Sequence, residues 1–361
     1  MRKFPLEGTP EFDIVKKRYE GGETLRSLAQ AIGMKPSGLK DALSNSGIKR
    51  LVKKVEISEP AEQKVIYQPY PDFELKPFTV IEKTRDEEDI IIVRTDAHAG
   101  KKTESYSIPI YQKRTDYCLN KVMTVIELHR PIKRAHIFYL GDGVQGENIY
   151  QGSNVSDTEC GVWEQIHDYA TPTEARFILS IAQGVEEVEV DCVWGNHGKY
   201  GREATIKANW DNFLYKDIAN ALSKQNNVKV NLPTQFYQLV NIRGYLFFLF
   251  HGNQVRATAG LPLFALKRKL QEWFAYVGGF NYAYGGHFHT WGADTINSVA
   301  DYQLCPPLVT GDEWAVEVVG RASMPIQLCF GVHPKIGRTW EYKLFTDDKF
   351  LPEPEGKLRR R

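Results

Sequence analysis

Five short groups of residues along the chain have the chemistry to hold metal ions: Asp96-Ala-His98, Gly141-Asp142, Gly195-Asn196-His197, His251-Gly252 and Gly286-His287-Phe288-His289. Carboxylate and neutral imidazole suit Mn²⁺, Fe or Zn²⁺, and an Asn carbonyl adds a ligand without adding negative charge. In the last group the imidazoles alternate with Phe288, so on an extended chain both point to one side and can address one object. A single Asp-x-His, or one pair of alternate histidines, is commonplace. Five such groups in this order are not.

A layered frame must position them. Each group follows an apolar run of strand character: Ile90–Val93, Ala135–Leu140, Val188–Val193, Tyr245–Phe250 and Asn281–Tyr284. Helical runs near 114–129, 172–183, 205–224 and 262–275 lie between them, and a further β-rich region spans about 295–345, the alternation of a layered α/β domain. In such folds ligands collect beyond the carboxyl ends of the strands, so all five groups can converge on one site.

The N-terminal part reads differently. Residues 10–50 form three short helices in this reading, with Pro10 opening the first, a turn at Gly33, a third helix from Pro36 to Ser44, and an apolar set of Ile14, Val15, Leu25, Leu28, Ala29 and Ile32. The stretch from Leu25 to Leu43 resembles the DNA-binding helix-turn-helix family, whose second helix enters the major groove; on that resemblance Ser37, Lys40, Asp41 and Ser44 face DNA. The other reading is a small bundle that docks on a protein or packs on the body. Residues 1–54 hold 12 Lys/Arg against 6 Asp/Glu, whereas the remainder holds 34 against 39, so the near-neutral total of +1 conceals a basic module on an acidic body.

Composition is ordinary for a globular chain of 361 residues, 42% hydrophobic and 25% charged. Five widely spaced cysteines (118, 160, 192, 305 and 329) with no C-x-x-C pair suggest neither a disulfide framework nor a thiolate zinc site, which fits a reducing cytoplasm, of a host cell if the chain is phage-encoded. Neither a signal-peptide core nor a membrane-spanning run is legible, so Asn154-Val-Ser156 carries little weight as a glycosylation acceptor. The expected organisation is a basic module at 1–54, a Pro-rich charged linker at 55–88, a catalytic domain at 89–346 and a basic tail at 347–361.

The ordered set D-x-H, G-D, G-N-H, H and G-H-x-H resembles the calcineurin-like metallophosphoesterase superfamily, over roughly residues 88–345. The resemblance implies an α/β fold, a four-layer α/β/β/α sandwich preceded by the small all-α helix-turn-helix module, with two divalent metals between the sheets. Mn²⁺ is the first choice, with Fe, Zn²⁺ or Mg²⁺ as alternatives. Carried over residue by residue, Asp96, His98 and His289 would bind the first metal, Asn196, His251 and His287 the second, and Asp142 would bridge them. Two metals roughly 3.5–4 Å apart would clamp phosphate oxygens and acidify a bridging water that attacks phosphorus. The catalytic candidates are then Asp142 and His197, the latter contacting phosphate and stabilising or protonating the leaving alkoxide.

Two departures from the family pattern bear on function. Many members have an acid directly after G-N-H, where Gly198 stands here, so His197 must find another partner or be less well poised. The second motif lacks the Arg of the protein-phosphatase branch, which lowers that reading. Lys199, Arg202 and Arg256 follow the motifs and are candidates for substrate phosphates or a nucleic-acid backbone. Glu147, Asp157 and Glu159 are weaker candidates to line the cleft, the aromatic run from Trp273 to Tyr282 is better read as a buried helix end than as a base-stacking surface, and His129, His136, His167 and His333 read as structural or exposed.

The expected function is a metal-dependent DNA phosphodiesterase, similar to the double-strand-break repair exonuclease branch, with DNA as partner and the basic module delivering the body to duplex. The alternatives are a phosphoesterase on a nucleotide or other small substrate, and a DNA-binding protein whose metal domain is inactive. Related nucleases often dimerise, but no residue here argues for it.

Overall fold

The computed structural model describes residues 4–48, 87–147, 157–200, 207–255, 262–311 and 324–350. Most of the linker, the tail beyond residue 350, Arg202, Arg256 and the Asn154 acceptor lie outside them. The chain divides into two compact units, Met1–Val80 and Ile81–Arg361.

The first unit holds three helices, α1 (Pro10–Glu20), α2 (Leu25–Ile32) and α3 (Pro36–Asn45). Thr9 and Thr24 cap α1 and α2 by accepting from the backbone N–H groups of Phe12 and Ser27, and Pro10 and Pro36 supply the fixed φ that suits a first turn. The core gathers Phe12, Val15, Leu28, Ala29, Leu39, Leu43 and Ile48. Ile14, expected in that core, is instead 57% exposed. Phe12, Val15 and Tyr19 follow the i, i+3, i+7 rhythm of one helix face, and Ile14 falls outside it.

The second unit is a mixed α/β structure with two sheets. One has the order β11-β10-β1-β2-β3-β4, where β1 (Glu88–Arg94), β2 (Ile132–Tyr139), β3 (Glu187–Cys192) and β4 (Val228–Asn231) run parallel, and β10 (Ile326–His333) and β11 (Gly337–Phe345) extend it antiparallel. The other has the order β5-β6-β7-β9-β8, built from β5 (Tyr237–Ile242), β6 (Tyr245–Phe250), β7 (Tyr282–Gly285), β8 (Gly292–Ile296) and β9 (Ala300–Leu304). The main helices are α4 (Ile108–Leu128), α5 (Val162–Glu164) running into a π-helical turn at Gln165–Ala170, α6 (Thr171–Ala182), α7 (Trp210–Ala221) and α8 (Pro262–Val277).

Alternation along the strands decides what packs where. Ile90 and Ile92 of β1, with Ile137 and Val190, join α4, α6 and α7 in one core. Their neighbours Ile91, Val93 and Phe138 meet Val240, Phe247, Leu249 and Tyr284 of the other sheet in a second. Phe248 and Phe250, on the far face of that sheet, pack with Leu266, Leu270 and Trp273 of α8 in a third. Trp273 and Phe280 are therefore core residues, as the helix-end reading expected.

Candidate metal centre

The five motif groups leave the carboxyl ends of β1, β2, β3, β6 and β7, and their loops are laced together by backbone hydrogen bonds. Asp96 N–H donates to Gly141 O (3.1 Å), His98 N–H to Asp142 O (2.9 Å) and Gly286 N–H to His251 O (2.9 Å). Asp96, His98, Asp142, His287 and His289 all take positive φ, between 45° and 68°. Residues with a β-carbon enter that region at a cost, and such strain collects where surrounding structure imposes it for a purpose.

The side chains form overlapping clusters. The ligand atoms of Asp96, His98 and His289 lie within 4.8 Å of one another, as do those of Asp142, His251 and His287, and those of His98, Asp142 and His197. His98 Nε2 is 3.3 Å from His289 Nε2, and His289 Nε2 is 3.4 Å from an Asp96 oxygen. His251 Nε2 is 3.0 Å from both Asp142 Oδ2 and Asn196 Oδ1. Asp142 thus has a place in both halves of the site, and its other oxygen accepts from His197 N–H at 2.8 Å.

Which nitrogen each imidazole presents follows from its second contact. His251 Nδ1 is 2.7 Å from Leu140 O and His98 Nδ1 is 3.0 Å from Gln145 Oε1. Carbonyl oxygens only accept, so both Nδ1 atoms carry hydrogen and both Nε2 lone pairs face the cluster, the second-contact arrangement that orients metal-binding histidines. Neutral imidazole nitrogens crowded beside a carboxylate repel it unless a cation lies among them, and at His251 a proton shared with Asp142 fills that place where no metal does. The donor set therefore fits divalent metal ions.

Charge behaves accordingly. Burial, reinforced by His197, holds His98 well below the usual histidine range, and burial with the neighbouring His251 lowers His287 to about 3. Burial also opposes charge on His251, but the hydrogen-bonded Asp142 carboxylate overrides it and lifts His251 to about 9. Asp142 itself is held well below the carboxylate range by His251 and His197, against the effect of burial.

Several residues that sequence reasoning missed hold the site from behind. Asp211, buried near the start of α7, accepts from Asp142 N–H (2.9 Å), Gly143 N–H (2.9 Å) and Gly195 N–H (2.7 Å), tying the second and third motifs together. Gln145 holds His98 through its side chain and His197 Nδ1 through its backbone oxygen at 3.2 Å. Gln165, in the π-helical turn, accepts from Gly146 N–H at 2.9 Å and so fixes the loop that carries Gln145. Asn209, which caps α7, was in principle legible as a helix start; Gln145 and Gln165 had no signal in spacing or type.

Gly198 has a local explanation. A β-carbon at 198 would fall on the Asn209 side-chain amide, which donates to Gly195 O and caps α7 through Asp211 N–H. The position after His197 is therefore closed to any side chain, and the ring takes its orientation from Gln145 O instead of an acid.

Of the weaker candidates, Lys199 is exposed beside the third motif. Glu159 accepts from Ile108 N–H at the start of α4 and Glu147 from Val162 N–H at the start of α5. Ser37, Lys40, Asp41 and Ser44 are all exposed along α3. Among the described residues no helix is long and apolar enough to cross a membrane.

No family model and no curated protein matches the sequence. The structure is similar to vacuolar protein sorting 29 from Cryptosporidium parvum (TM-score 0.33, 11% identity, 71% of this chain and 98% of that one). It is similar to Vps29 complexed with zinc from Entamoeba histolytica (TM-score 0.33, 9% identity, 71% and 99%) and to a 5'-nucleotidase from Candida albicans (TM-score 0.30, 13% identity, 62% and 46%).

Proposed function

We propose that the chain is a dinuclear-metal phosphoesterase of the calcineurin-like kind and that its substrate is DNA. One observation carries the reading: metal-capable side chains from five strand ends converge in three overlapping clusters, in which the group His98, Asp142 and His197 joins Asp96, His98 and His289 to Asp142, His251 and His287. Asp96, His98 and His289 would hold one ion, Asn196, His251 and His287 the other, with Asp142 between them. Mn²⁺ suits this mixture of carboxylate, amide and imidazole, and Zn²⁺, Fe or Mg²⁺ are its competitors. When bound, such a pair supplies Lewis acidity to phosphate oxygens and an acidified water for in-line attack.

The chain's own residues do the rest. Gln145 and Leu140 O hold the histidines by Nδ1, and Asp211 fixes the backbone that carries Asp142. His197, its ring centroid 4.3 Å from that of His98 and its Nδ1 on Gln145 O, is placed to contact phosphate with its other nitrogen and steady the leaving oxygen. The three cores, one between helices and the first sheet, one between the sheets and one under α8, support a four-layer α/β/β/α arrangement.

DNA is favoured by the N-terminal unit, whose α2–turn–α3 spacing and exposed row of Ser37, Lys40 and Ser44 match a helix-turn-helix presenting its second helix. Lys199 would add a backbone contact beside the third motif; Arg202 and Arg256, outside the described residues, are candidates for such contacts by their place in the sequence alone. The acidic body binds polyanions weakly by itself, so the basic unit delivers it.

The test is metal-stripped protein resupplied with Mn²⁺ and offered, separately, end-labelled linear duplex DNA, circular single-stranded DNA and bis-p-nitrophenyl phosphate. Turnover of the diester and cleavage of at least one DNA are expected, and loss of the circle would show endonuclease action. Turnover of the small diester alone would replace DNA with a small phosphoester as substrate, and inertness toward all three would end the enzymatic reading.

A further inference from the structure

A second group of ionisable side chains lies between the sheets, away from the motifs. On β2 and β3, Ala135, Ile137, Val188 and Val190 face the helices, so their neighbours His136, Glu189 and Asp191 share the face turned toward the other sheet. The ligand atoms of His136, Glu189 and Asp191 lie within 4.8 Å of one another. His136 is 5% exposed and Asp191 2%, yet neither ring nitrogen of His136 nor Asp191 Oδ2 has a hydrogen-bond partner among the described residues. Buried polar atoms are almost always satisfied, because an unmet one costs about 1–3 kcal/mol. Here His136 Nδ1 and Asp191 Oδ2 are two of them in one cluster, while His136 Nε2 has only the Asp89 carboxylate 3.5 Å away.

What surrounds them resembles the outer support of a metal site. Asp191 Oδ1 accepts from Asn231 Nδ2 at 2.8 Å and Gln238 Nε2 at 3.3 Å, which fixes the carboxylate and leaves Oδ2 as a donor. His136 Nε2 is 3.5 Å from Asp89 Oδ2, while Arg243 holds the other Asp89 oxygen at 2.7 Å, so Nδ1 is the nitrogen available for ligation. Gln238, on β5 of the opposite sheet, reaches Asp191 Oδ1 by its Nε2, and its Oε1 has no hydrogen-bond partner among the described residues, which makes it the candidate for a fourth ligand. Glu189 sits at the solvent rim, with Lys229 Nζ 3.8 Å away, and marks the way in.

We propose that His136, Glu189 and Asp191, with Gln238 as fourth donor, form a structural site for a divalent transition metal of the Zn²⁺ class, joining the two sheets. One imidazole and three oxygens meet the four-coordinate demand of zinc, and two carboxylates balance its charge. His136 lies inside β2, six residues before Asp142, and its group shares no residue with the clusters at the strand ends, so the two sites are separate. A metal here would bind whether or not the chain cleaves phosphoesters.

The test counts bound zinc on full-length protein, stripped with chelator and reloaded, by mass spectrometry and by titration calorimetry. Glu189→Gln is the decisive variant, because its rim position lets it fold; Asp191→Asn is the second. Each should hold one zinc fewer than the wild type, or bind that equivalent at least tenfold more weakly, and should show a smaller zinc-induced rise in Tm. Asp142→Asn should keep this equivalent, which separates the site from the candidate metal centre. An unchanged count and an unchanged Tm response in Glu189→Gln would overturn the proposal.

Discussion

At the scale of single residues, the histidines divide by what holds their Nδ1. His98 and His251 are anchored on oxygens that can only accept, which turns their Nε2 atoms toward the cluster. Removing an outer partner of this kind typically costs 10–100-fold in metal affinity or activity. Gln145→Ala is therefore expected to weaken metal binding by about that factor, measured by competition with a chelating dye, while the fold as read by circular dichroism stays intact. His197 gives the opposite split: His197→Ala should retain its metal and lose about 10²–10⁴-fold in turnover, the usual weight of one proton-transfer group. Full activity in that variant would remove His197 from the chemistry. Which residues converge was legible in the sequence because the motifs state them in order. Gln145 and Asp211 were not, because their parts are played through backbone groups and between residues far apart in the chain.

At the scale of elements, β1 delivers Asp96 and is held by a buried ion pair next to it. Arg94 Nη2 donates to Glu174 Oε1 of α6 at 2.6 Å, and Tyr111 and Tyr139 donate to the same carboxylate. Removing one partner of a buried pair typically costs about 3–5 kcal/mol, because the other charge is left uncompensated. Glu174→Ala should lower stability by about that amount in urea unfolding, and Glu174→Gln should also be strongly destabilising, because its amide oxygen can still accept a hydrogen bond but leaves the buried Arg94 charge unbalanced. The five site strands and the helices α4, α6, α7 and α8 were legible from apolar runs and helical rhythm. The short edge strand β4 and strand β5 were not, being polar on one side, and the π-helical turn at Gln165–Ala170 has no sequence signature distinguishing it from ordinary helix.

At the scale of the whole molecule, a basic unit and an acidic one have different tasks in the proposed function, and they can be separated. Deleting residues 1–54 should reduce cleavage of duplex DNA and flatten its dependence on salt, by about one unit of slope for each phosphate no longer neutralised, while turnover of bis-p-nitrophenyl phosphate survives. An unchanged salt slope would show that the N-terminal unit does not deliver DNA. The helical character of that unit was readable from its caps and prolines. What it meets was not, because an exposed row such as Ser37, Lys40 and Ser44 has the same appearance whether it faces nucleic acid, protein or water.

The left-handed backbone at Asp96, His98, Asp142, His287 and His289 has a further consequence. Each such residue sits in a conformation costing on the order of 1–3 kcal/mol, so the scaffold is built against its own preference at the places where it is most useful. A chain that gave up its chemistry would then gain robustness. In chelator, His289→Gly should melt at a higher temperature than the parent, by the equivalent of about 1 kcal/mol, because glycine accepts that conformation freely. Descendants released from selection for activity would drift toward glycine and asparagine at His287 and His289 first, since Asp96, His98 and Asp142 are buried and hold their neighbours through their side chains.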